Sequence, residues 1–470
     1  MVPRVIIGGV QSGVGKTVLA TGLMAALARR GYKVQGFKAG PDYIDPGYHA
    51  AATGRASRNL DGWLLPEDTM RELFLRAAAR ADVAVVEGVM GLFDGYDRGE
   101  AGSTARLAKC LDAPVILVVN AGGMARSAAA LVQGYKNFDP AVRLRGVIFN
   151  NAGSPRHYRL LKDAVEEQCG VEAVGYLPKT PGLQLPERHL GLVPAAEQEG
   201  LTAFLDRLAG LVAASIDLDR VLAIARSAPP LDYPPKRVFA GDGPGRRVKI
   251  AVAMDEAFSF YYRDALDLLE AAGARLVYFS PLRDKALPAG VHGVYIGGGF
   301  PEMFLGALSR NRSMLDSIAA AHRRRMPIYA ECGGLMYLSE GIIDFAGRFY
   351  PMAGLVPGRV RMQEKRAALG YATAEVLQDN ILASRGAVLR GHQFRWSVLT
   401  GVPPGTGRAY RLAGRNGGDA QPEGIVVGGN LLASYLHLHF AGHPALARNF
   451  VASCLAHARR VSPAGGDGLA

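Results

Sequence analysis

Short apolar runs alternate with helix-length amphipathic stretches through the first 215 residues of this 470-residue chain. The runs at 5–7, 83–86, 115–119 and 147–149 are continuously apolar and rich in β-branched residues. A strand that is apolar on both faces must be covered on both faces, which is the condition of a parallel sheet flanked by helices. Ligands of such sheets bind beyond the carboxyl ends of the strands. Polar and glycine-rich residues follow these runs, so the pattern predicts a doubly wound α/β fold with a site at its strand ends.

The chain is too long for one ordinary core. The pattern breaks at Ser227-Ala228-Pro229-Pro230-Leu231-Asp232-Tyr233-Pro234-Pro235 and Gly241-Asp242-Gly243-Pro244-Gly245, a Pro/Gly-rich linker. It restarts with a strand at 248–253, a helix around 264–270, and strands at 276–279, 293–296 and 327–330. The expected organisation is a first domain over 1–225, a linker over 226–246, a second α/β domain over 247–460 and a frayed tail over 461–470. No internal repeat is present.

The four cysteines, Cys110, Cys169, Cys332 and Cys454, form no CxxC pair, which fits a reducing compartment rather than a disulfide framework or structural zinc site. Met1-Val2-Pro3-Arg4 leads straight into a strand without a signal-peptide pattern, and no apolar run reaches bilayer length. The expectation is a soluble cytoplasmic protein with no membrane partner. The net charge of +12 comes largely from dispersed arginines such as Arg29-Arg30 and Arg323-Arg324-Arg325, with no interleaved aromatics to stack bases. A solvated basic surface, or attraction of a small polyanionic substrate, accounts for it better than nucleic acid.

Gly9-Val10-Gln11-Ser12-Gly13-Val14-Gly15-Lys16-Thr17 lies between the first strand and a helix over 18–30. Backbone N–H groups converging before a helix N-terminus, with glycines allowing close approach, make a phosphate cradle. Gly13, Val14, Gly15, Lys16 and Thr17 are the expected nucleotide-binding residues, Lys16 reaching the β- and γ-phosphates and Thr17 a Mg²⁺ ion. The first glycine stands one place early, at Gly9. Phe37-Lys38-Ala39-Gly40-Pro41-Asp42-Tyr43-Ile44-Asp45-Pro46-Gly47 also follows a strand. Lys38 is a candidate catalytic cation for phosphoryl transfer; Asp42 and Asp45 are candidates either to ligate Mg²⁺ or to position substrate, with Asp42 taken as the metal ligand, and Tyr43 is a further candidate substrate contact. In Val86-Glu87-Gly88-Val89-Met90-Gly91-Leu92-Phe93-Asp94-Gly95, Glu87 is placed like a second Mg²⁺ ligand and Asp94 serves substrate or metal. Asn150 is a candidate for reading the adenine ring, with Asn151 as a turn cap. ATP and Mg²⁺ are the expected co-substrate and cofactor.

The second domain carries Ala330-Glu331-Cys332-Gly333-Gly334 after a strand, with a helix expected to begin near Leu335. A cysteine on such a turn faces a helix N-terminus, which favours thiolate. Gly297-Gly298-Gly299-Phe300-Pro301-Glu302 ends another strand; Gly298 and Gly299, with Gly333, supply backbone for an oxyanion hole. Ser434-Tyr435-Leu436-His437-Leu438-His439-Phe440 offers the base, His437 being favoured. Class I glutamine amidotransferases place a Glu two residues past that histidine. Position 439 is His and position 441 is Ala, so the site is expected to work as a Cys332–His437 dyad or to draw a carboxylate from elsewhere. A phosphate loop and a glutamine-cleaving cysteine on one chain together imply ATP-dependent carboxylate amidation.

The offset loop resembles that of the dethiobiotin-synthetase group of P-loop enzymes. Their partitioning and division-site ATPase relatives carry an extra lysine where this chain has Gln11, which speaks against a nucleotide switch and leaves a homodimer open. The whole motif set resembles the cobyrinate a,c-diamide synthase family of cobalamin biosynthesis. The segments carrying that resemblance are 12–17, 40–47, 86–95, 257–262, 297–302, 331–338 and the His437 segment. It implies a P-loop domain followed by a class I-type glutamine amidotransferase domain, acting on a tetrapyrrole polycarboxylate with ATP and L-glutamine. It also implies that the a and c carboxylates are phosphorylated by ATP and then amidated. Gly391-His392-Gln393-Phe394-Arg395-Trp396-Ser397 departs from the family, which more often reads Gly-His-Glu-Phe-His-Tyr there. That departure keeps open a sister substrate: hydrogenobyrinate, a nickel sirohydrochlorin or siroheme.

Overall fold

The computed structural model describes residues 2–180, 182–183, 185–188, 191–239, 248–413 and 420–461. The linker segment 241–245 and the tail 462–470 lie outside them. The chain divides into two compact units, Met1–Lys236 and Arg237–Ala470.

In the first unit β1 (Arg4–Gly9), β2 (Val34–Ala39), β3 (Arg58–Leu60), β4 (Val83–Glu87), β5 (Val115–Asn120), β6 (Leu144–Ala152) and β7 (Glu172–Pro178) form a parallel sheet. Its order is β3-β2-β4-β1-β5-β6-β7. β1 is buried along its whole length and lies between β4 and β5. The chain crosses out of β1 through helix α1 (Lys16–Arg29), whose core face packs against the helix Leu201–Ser215. A Cβ on Gly22 would stand 2.7 Å from Val212 Cγ2 and 3.0 Å from Leu208 Cγ, so the close approach of these helices requires glycine there. A short ladder, β8 (Glu187–Arg188) with β9 (Gly191–Leu192), follows the sheet.

The second unit opens with β10 (Val248–Ala253), β11 (Ala274–Phe279), β12 (Gly293–Ile296) and β13 (Ile328–Glu331), all parallel. The remaining strands are β14 (Ser339–Ile343), β15 (Phe349–Pro351), β16 (Val356–Met362), β17 (Ala368–Val376), β18 (Val388–Arg395), β19 (Ser397–Thr400), β20 (Arg408–Leu412), β21 (Gln421–Val427), β22 (Leu431–Ser434) and β23 (His437–Leu438). A ten-stranded sheet runs β11-β10-β12-β13-β22-β21-β20-β17-β18-β23, parallel as far as β22 and antiparallel beyond it. A smaller sheet, β15-β14-β16-β19, packs beside it through Ile342, Val356 and Val360. The helix after the nucleophile begins at Gly333 rather than near Leu335. The tight turn at Cys332, which caps the helix, leaves no residue between turn and helix. Among the described residues no helix is long and apolar enough to cross a membrane.

Candidate active sites

The phosphate loop joins β1 to α1. Gly13 and Gly15 have φ of 73° and 96°, which L side chains rarely adopt. Gly15 caps α1 with no side-chain hydrogen bond, so the first turn of α1 presents its N–H groups outward, as an anion cradle requires. The early glycine has a steric reason. A Cβ on Gly9 would lie 2.6 Å from Val14 Cγ1 and 2.9 Å from Lys16 Cδ, because the lysine stem crosses the end of β1. Lys16 Nζ donates to the Gln11 carbonyl at 3.0 Å. Burial, then Lys38, lowers its pKa to about 8.

Next to the loop the sheet carries a buried charge network. Lys38 Nζ lies 2.6 Å from Asp45 Oδ2 and 2.8 Å from Glu87 Oε1, and it donates to the Gly88 carbonyl at 3.2 Å. Thr17 Oγ1 donates to Glu87 Oε1 at 2.7 Å and stands 3.4 Å from Asp45 Oδ2. Burial alone would lower the Lys38 ammonium, and Asp45 and Glu87 more than reverse it, so it stays charged. Burial would raise Glu87, yet Lys38 and His49 hold it well below the usual carboxylate range. Asp45 is pushed up by burial, then by Asp42 and Glu87. The Lys38 donors face protein acceptors, which makes it a positioning cation in this geometry rather than one open to a phosphate.

The structure brings Lys16, Thr17, Lys38, Asp45 and Glu87 together and gives other candidates different tasks. Asp42 Oδ1 accepts from Ile44 N–H at 2.8 Å and Asp45 N–H at 2.9 Å, opening helix α2 (Asp45–Thr53); this carboxylate caps a helix while Asp45 reaches Thr17. Asp94 Oδ2 accepts from Gly91 N–H at 2.8 Å and closes its own turn. Tyr43 is half-buried on the same loop. Asn150 Nδ2 donates to the Val14 carbonyl at 2.9 Å and its Oδ1 accepts from Asn151 N–H. The Asn150 amide therefore buttresses the phosphate loop.

His49 escaped sequence reasoning. Its Nε2 lies 2.7 Å from Glu87 Oε2 and its Nδ1 3.1 Å from Ser57 Oγ, all buried. The signal was its spacing: Asp45 and His49 stand four apart on α2 and share a face. Thr17, Asp45 and Glu87 are hard oxygen donors that suit Mg²⁺, which binds through one or two carboxylates with phosphate and water. Among the described residues no group of three or more His, Cys, Asp or Glu forms a cage for a metal by itself.

In the second unit Cys332 directly follows β13 with φ 47° and ψ −100°, a conformation costly for a non-glycine residue and typical of a nucleophile held on a sharp strand-to-helix turn. Its N–H donates to the Ser434 carbonyl at 2.7 Å, tying the turn to the end of β22. Gly298, Gly299 and Gly333 line the turn. A Cβ on Gly298 would lie 2.7 Å from His437 Cε1, and one on Gly333 3.2 Å from the Gly299 nitrogen. Burial would lower the His437 imidazole; Cys332, then Glu331, raise it to about 10.

Glu331 is the carboxylate that sequence reasoning did not place. Its Oε2 stands 3.6 Å from His437 Nδ1, an ion-pair distance rather than a hydrogen bond. The same side chain accepts from the Tyr329 hydroxyl, from Tyr295 at 3.2 Å and from Leu438 N–H at 3.2 Å. The dyad expected from the sequence thus has an acidic neighbour drawn from the residue before the nucleophile. The signal was an acid in an otherwise apolar strand, since fully buried carboxylates are rare unless paired. His439 accepts from Ala441 N–H and stacks 4.4 Å from the Tyr262 ring, away from this role.

Residues 5–193 match the CobQ/CobB/MinD/ParA nucleotide binding domain family, and residues 249–445 match the CobB/CobQ-like glutamine amidotransferase domain family. A cobyrinate a,c-diamide synthase of Dehalococcoides mccartyi (strain CBDB1) is 51% identical over 454 residues, covering 96% of this chain and 97% of the relative. One from Caldanaerobacter subterraneus subsp. tengcongensis is 44% identical over 97% of this chain and 99% of the relative. One from Priestia megaterium is 45% identical over 96% and 97%. Two domain matches in sequence order and near full-length identity at this level show that the chain belongs to the cobyrinate a,c-diamide synthase family.

Proposed function

We propose that the protein amidates the a and c carboxylates of cobyrinate, using ATP and ammonia released from L-glutamine. The observation that carries the reading is the presence, on one chain of this family, of a phosphate loop beside a buried Lys38–Glu87 pair and a strained Cys332 beside His437.

In the glutamine site, Cys332 Sγ attacks the side-chain carboxamide carbon of glutamine. The Gly298, Gly299 and Gly333 backbone is suited to the tetrahedral oxyanion. His437 gives its proton to the leaving nitrogen, the C–N bond breaks and ammonia departs. Water, deprotonated by His437, then cleaves the thioester to glutamate. Glu331 keeps the imidazole oriented and favours its charged form.

In the nucleotide site, a ring carboxylate oxygen attacks the γ-phosphorus of ATP and ADP leaves. Ammonia attacks the resulting acyl phosphate carbon, a proton is lost, and inorganic phosphate leaves the amide behind. Lys16 offsets charge on the transferring phosphoryl group, while Lys38 holds Asp45 and Glu87 in place. Mg²⁺ would be held by Thr17, Glu87 and Asp45 with the phosphates, where it supplies charge neutralisation. We place the reaction in the cytoplasm, where the four unpaired, buried thiols stay reduced.

Product mass spectrometry on a panel of cobyrinate, hydrogenobyrinate and nickel sirohydrochlorin, each with ATP, Mg²⁺ and glutamine, tests the substrate. Conversion of cobyrinate to its diamide ahead of the other two is expected. Preferential amidation of nickel sirohydrochlorin would assign the chain to a sister reaction.

A further inference from the structure

Six residues other than glycine have positive φ among the described residues: Met90, Asp97, Asp112, Asn151, Arg325 and Cys332. Asp and Asn tolerate that conformation. Arg325 closes the helix Arg312–Arg323, its N–H donating to the His322 carbonyl at 2.8 Å, and a left-handed residue is an ordinary helix ending. Cys332 occupies the sharp strand-to-helix turn of the second unit. Met90 is different: a long apolar side chain at φ 47° on a loop that ends no helix.

Its neighbours lock it there. Val89 N–H donates to Thr104 Oγ1 at 2.9 Å, and the same hydroxyl donates to the Val89 carbonyl at 3.0 Å. Gly91 N–H donates to Asp94 Oδ2 at 2.8 Å, and Leu92 N–H to the Gly9 carbonyl of the phosphate loop at 2.8 Å. A Cβ on Gly40 would lie 3.4 Å from Val89 Cγ2, so the loop that follows Lys38 packs against the same segment. Despite this fixing, the Met90 side chain is 39% exposed. A strained backbone that holds an apolar group in water adds little to the core, and such strain gathers at ligand sites.

Met90 stands three residues past Glu87, within about 11 Å of it along the chain. Tyr96, further along the same loop, is also exposed, and its ring packs on half-buried Trp63 with centroids 5.5 Å apart. Trp63 follows β3, and a Cβ on Gly62 would lie 3.5 Å from the Gly102 nitrogen, so the loops after β3 and β4 touch. Exposed apolar groups thus gather at the strand ends that carry Lys38 and Glu87. The carboxylate that receives the phosphoryl group must come to this edge, carried on a broad, flat macrocycle. A thioether and aromatic rings suit such a face, the thioether because it is polarizable and unbranched.

We propose that Met90, with the Trp63–Tyr96 pair, forms the surface on which the apolar face of the tetrapyrrole ring rests while one of its carboxylates is phosphorylated. The proposal rests on the reading of the substrate as a tetrapyrrole polycarboxylate.

Met90→Asn tests it, because the two consequences have opposite signs. Asn accepts positive φ more readily than Met, so the denaturant midpoint of the variant should equal or exceed that of wild type. The ring used is whichever of cobyrinate, hydrogenobyrinate and nickel sirohydrochlorin the wild type amidates best. Its KM should rise about 5- to 20-fold in Met90→Asn, while the KM values for ATP and glutamine stay unchanged. Binding is read separately by fluorescence, since the chain has only two tryptophans, Trp63 and Trp396. In Trp396→Phe the conjugated ring should quench Trp63, and adding Met90→Asn should move the quenching midpoint to higher ring concentration by the same factor. A ring KM and midpoint unchanged by Met90→Asn would overturn the proposal. Equal rises in the KM for ring and for ATP would also overturn it, by marking a disturbed phosphate loop. A variant less stable than wild type would remove the strain argument and the proposal with it. Amidation of none of the three rings by wild type would instead strike the tetrapyrrole reading itself, on which the proposal depends.

Discussion

Glu331 sits where one substitution separates orientation from bulk. Glu331→Gln keeps the shape and, on its amide oxygen, the acceptor for Tyr329 and Leu438, turns the Tyr295 contact into one that the amide NH2 donates, and removes the charge facing His437 Nδ1. Glutamine-dependent kcat should fall about 100-fold or more, by analogy of role with the carboxylate of hydrolase triads, while ammonia-dependent activity stays unchanged. Equal loss of both activities would make Glu331 a structural residue only. Lys38 and Glu87 carry a second residue-scale consequence. Lys38→Met leaves two buried carboxylates without their cation, and breaking such a pair costs about 3–5 kcal/mol. Glu87 is depressed in the folded state from its ordinary value near 4.5. Its contribution is therefore present above that value and is lost as pH falls below it. Asp45, raised by burial, acts in the opposite sense and offsets part of the loss. Denaturant midpoints measured from neutral pH into acid should decline more steeply for wild type than for Glu87→Gln; parallel curves would remove Glu87 from the balance.

At the scale of elements, the β1–α1 junction shows why an offset glycine is tolerated and required. Gly9→Ala would drive a methyl into Val14 and the Lys16 stem, displacing the lysine. Overpacking of this kind costs about 1–3 kcal/mol, and the KM for ATP should rise with little change in glutamine hydrolysis measured alone. An unaltered ATP KM would show that the loop yields without moving Lys16. The parallel strands and the glycine-rich turns after them were legible because buried parallel strands are continuously apolar and their ends carry function. β14 to β21 were not read from the pattern: β17, for example, is half-buried for most of its length and begins Ala368-Leu369-Gly370, which carries no strong period. Cys332, His437, Lys16 and Thr17 were visible as motifs. Glu331 and His49 were not, because each acts through a neighbour that only folding supplies. Asn150 was visible as a residue, but its bond to the Val14 carbonyl of the phosphate loop was not, since register between β6 and the loop is a tertiary fact.

At the scale of the whole molecule, each unit has its own sheet and its own apolar core, and each holds one half of the chemistry. Activation of a carboxylate needs phosphates and a desolvated charge network; release of ammonia needs a thiolate and a proton carrier. The central claim is that these two chemistries serve one product. It is tested most directly by incubating wild type and Cys332→Ala with cobyrinate, ATP, Mg²⁺ and [amide-¹⁵N]glutamine, and weighing the ring. Wild type should place two ¹⁵N atoms in each product ring, and Cys332→Ala none, with amidation by the variant restored by added ammonia. A Cys332→Ala enzyme that still transfers ¹⁵N from glutamine, or that stays inactive with ammonia, would contradict the division of labour between the two sites.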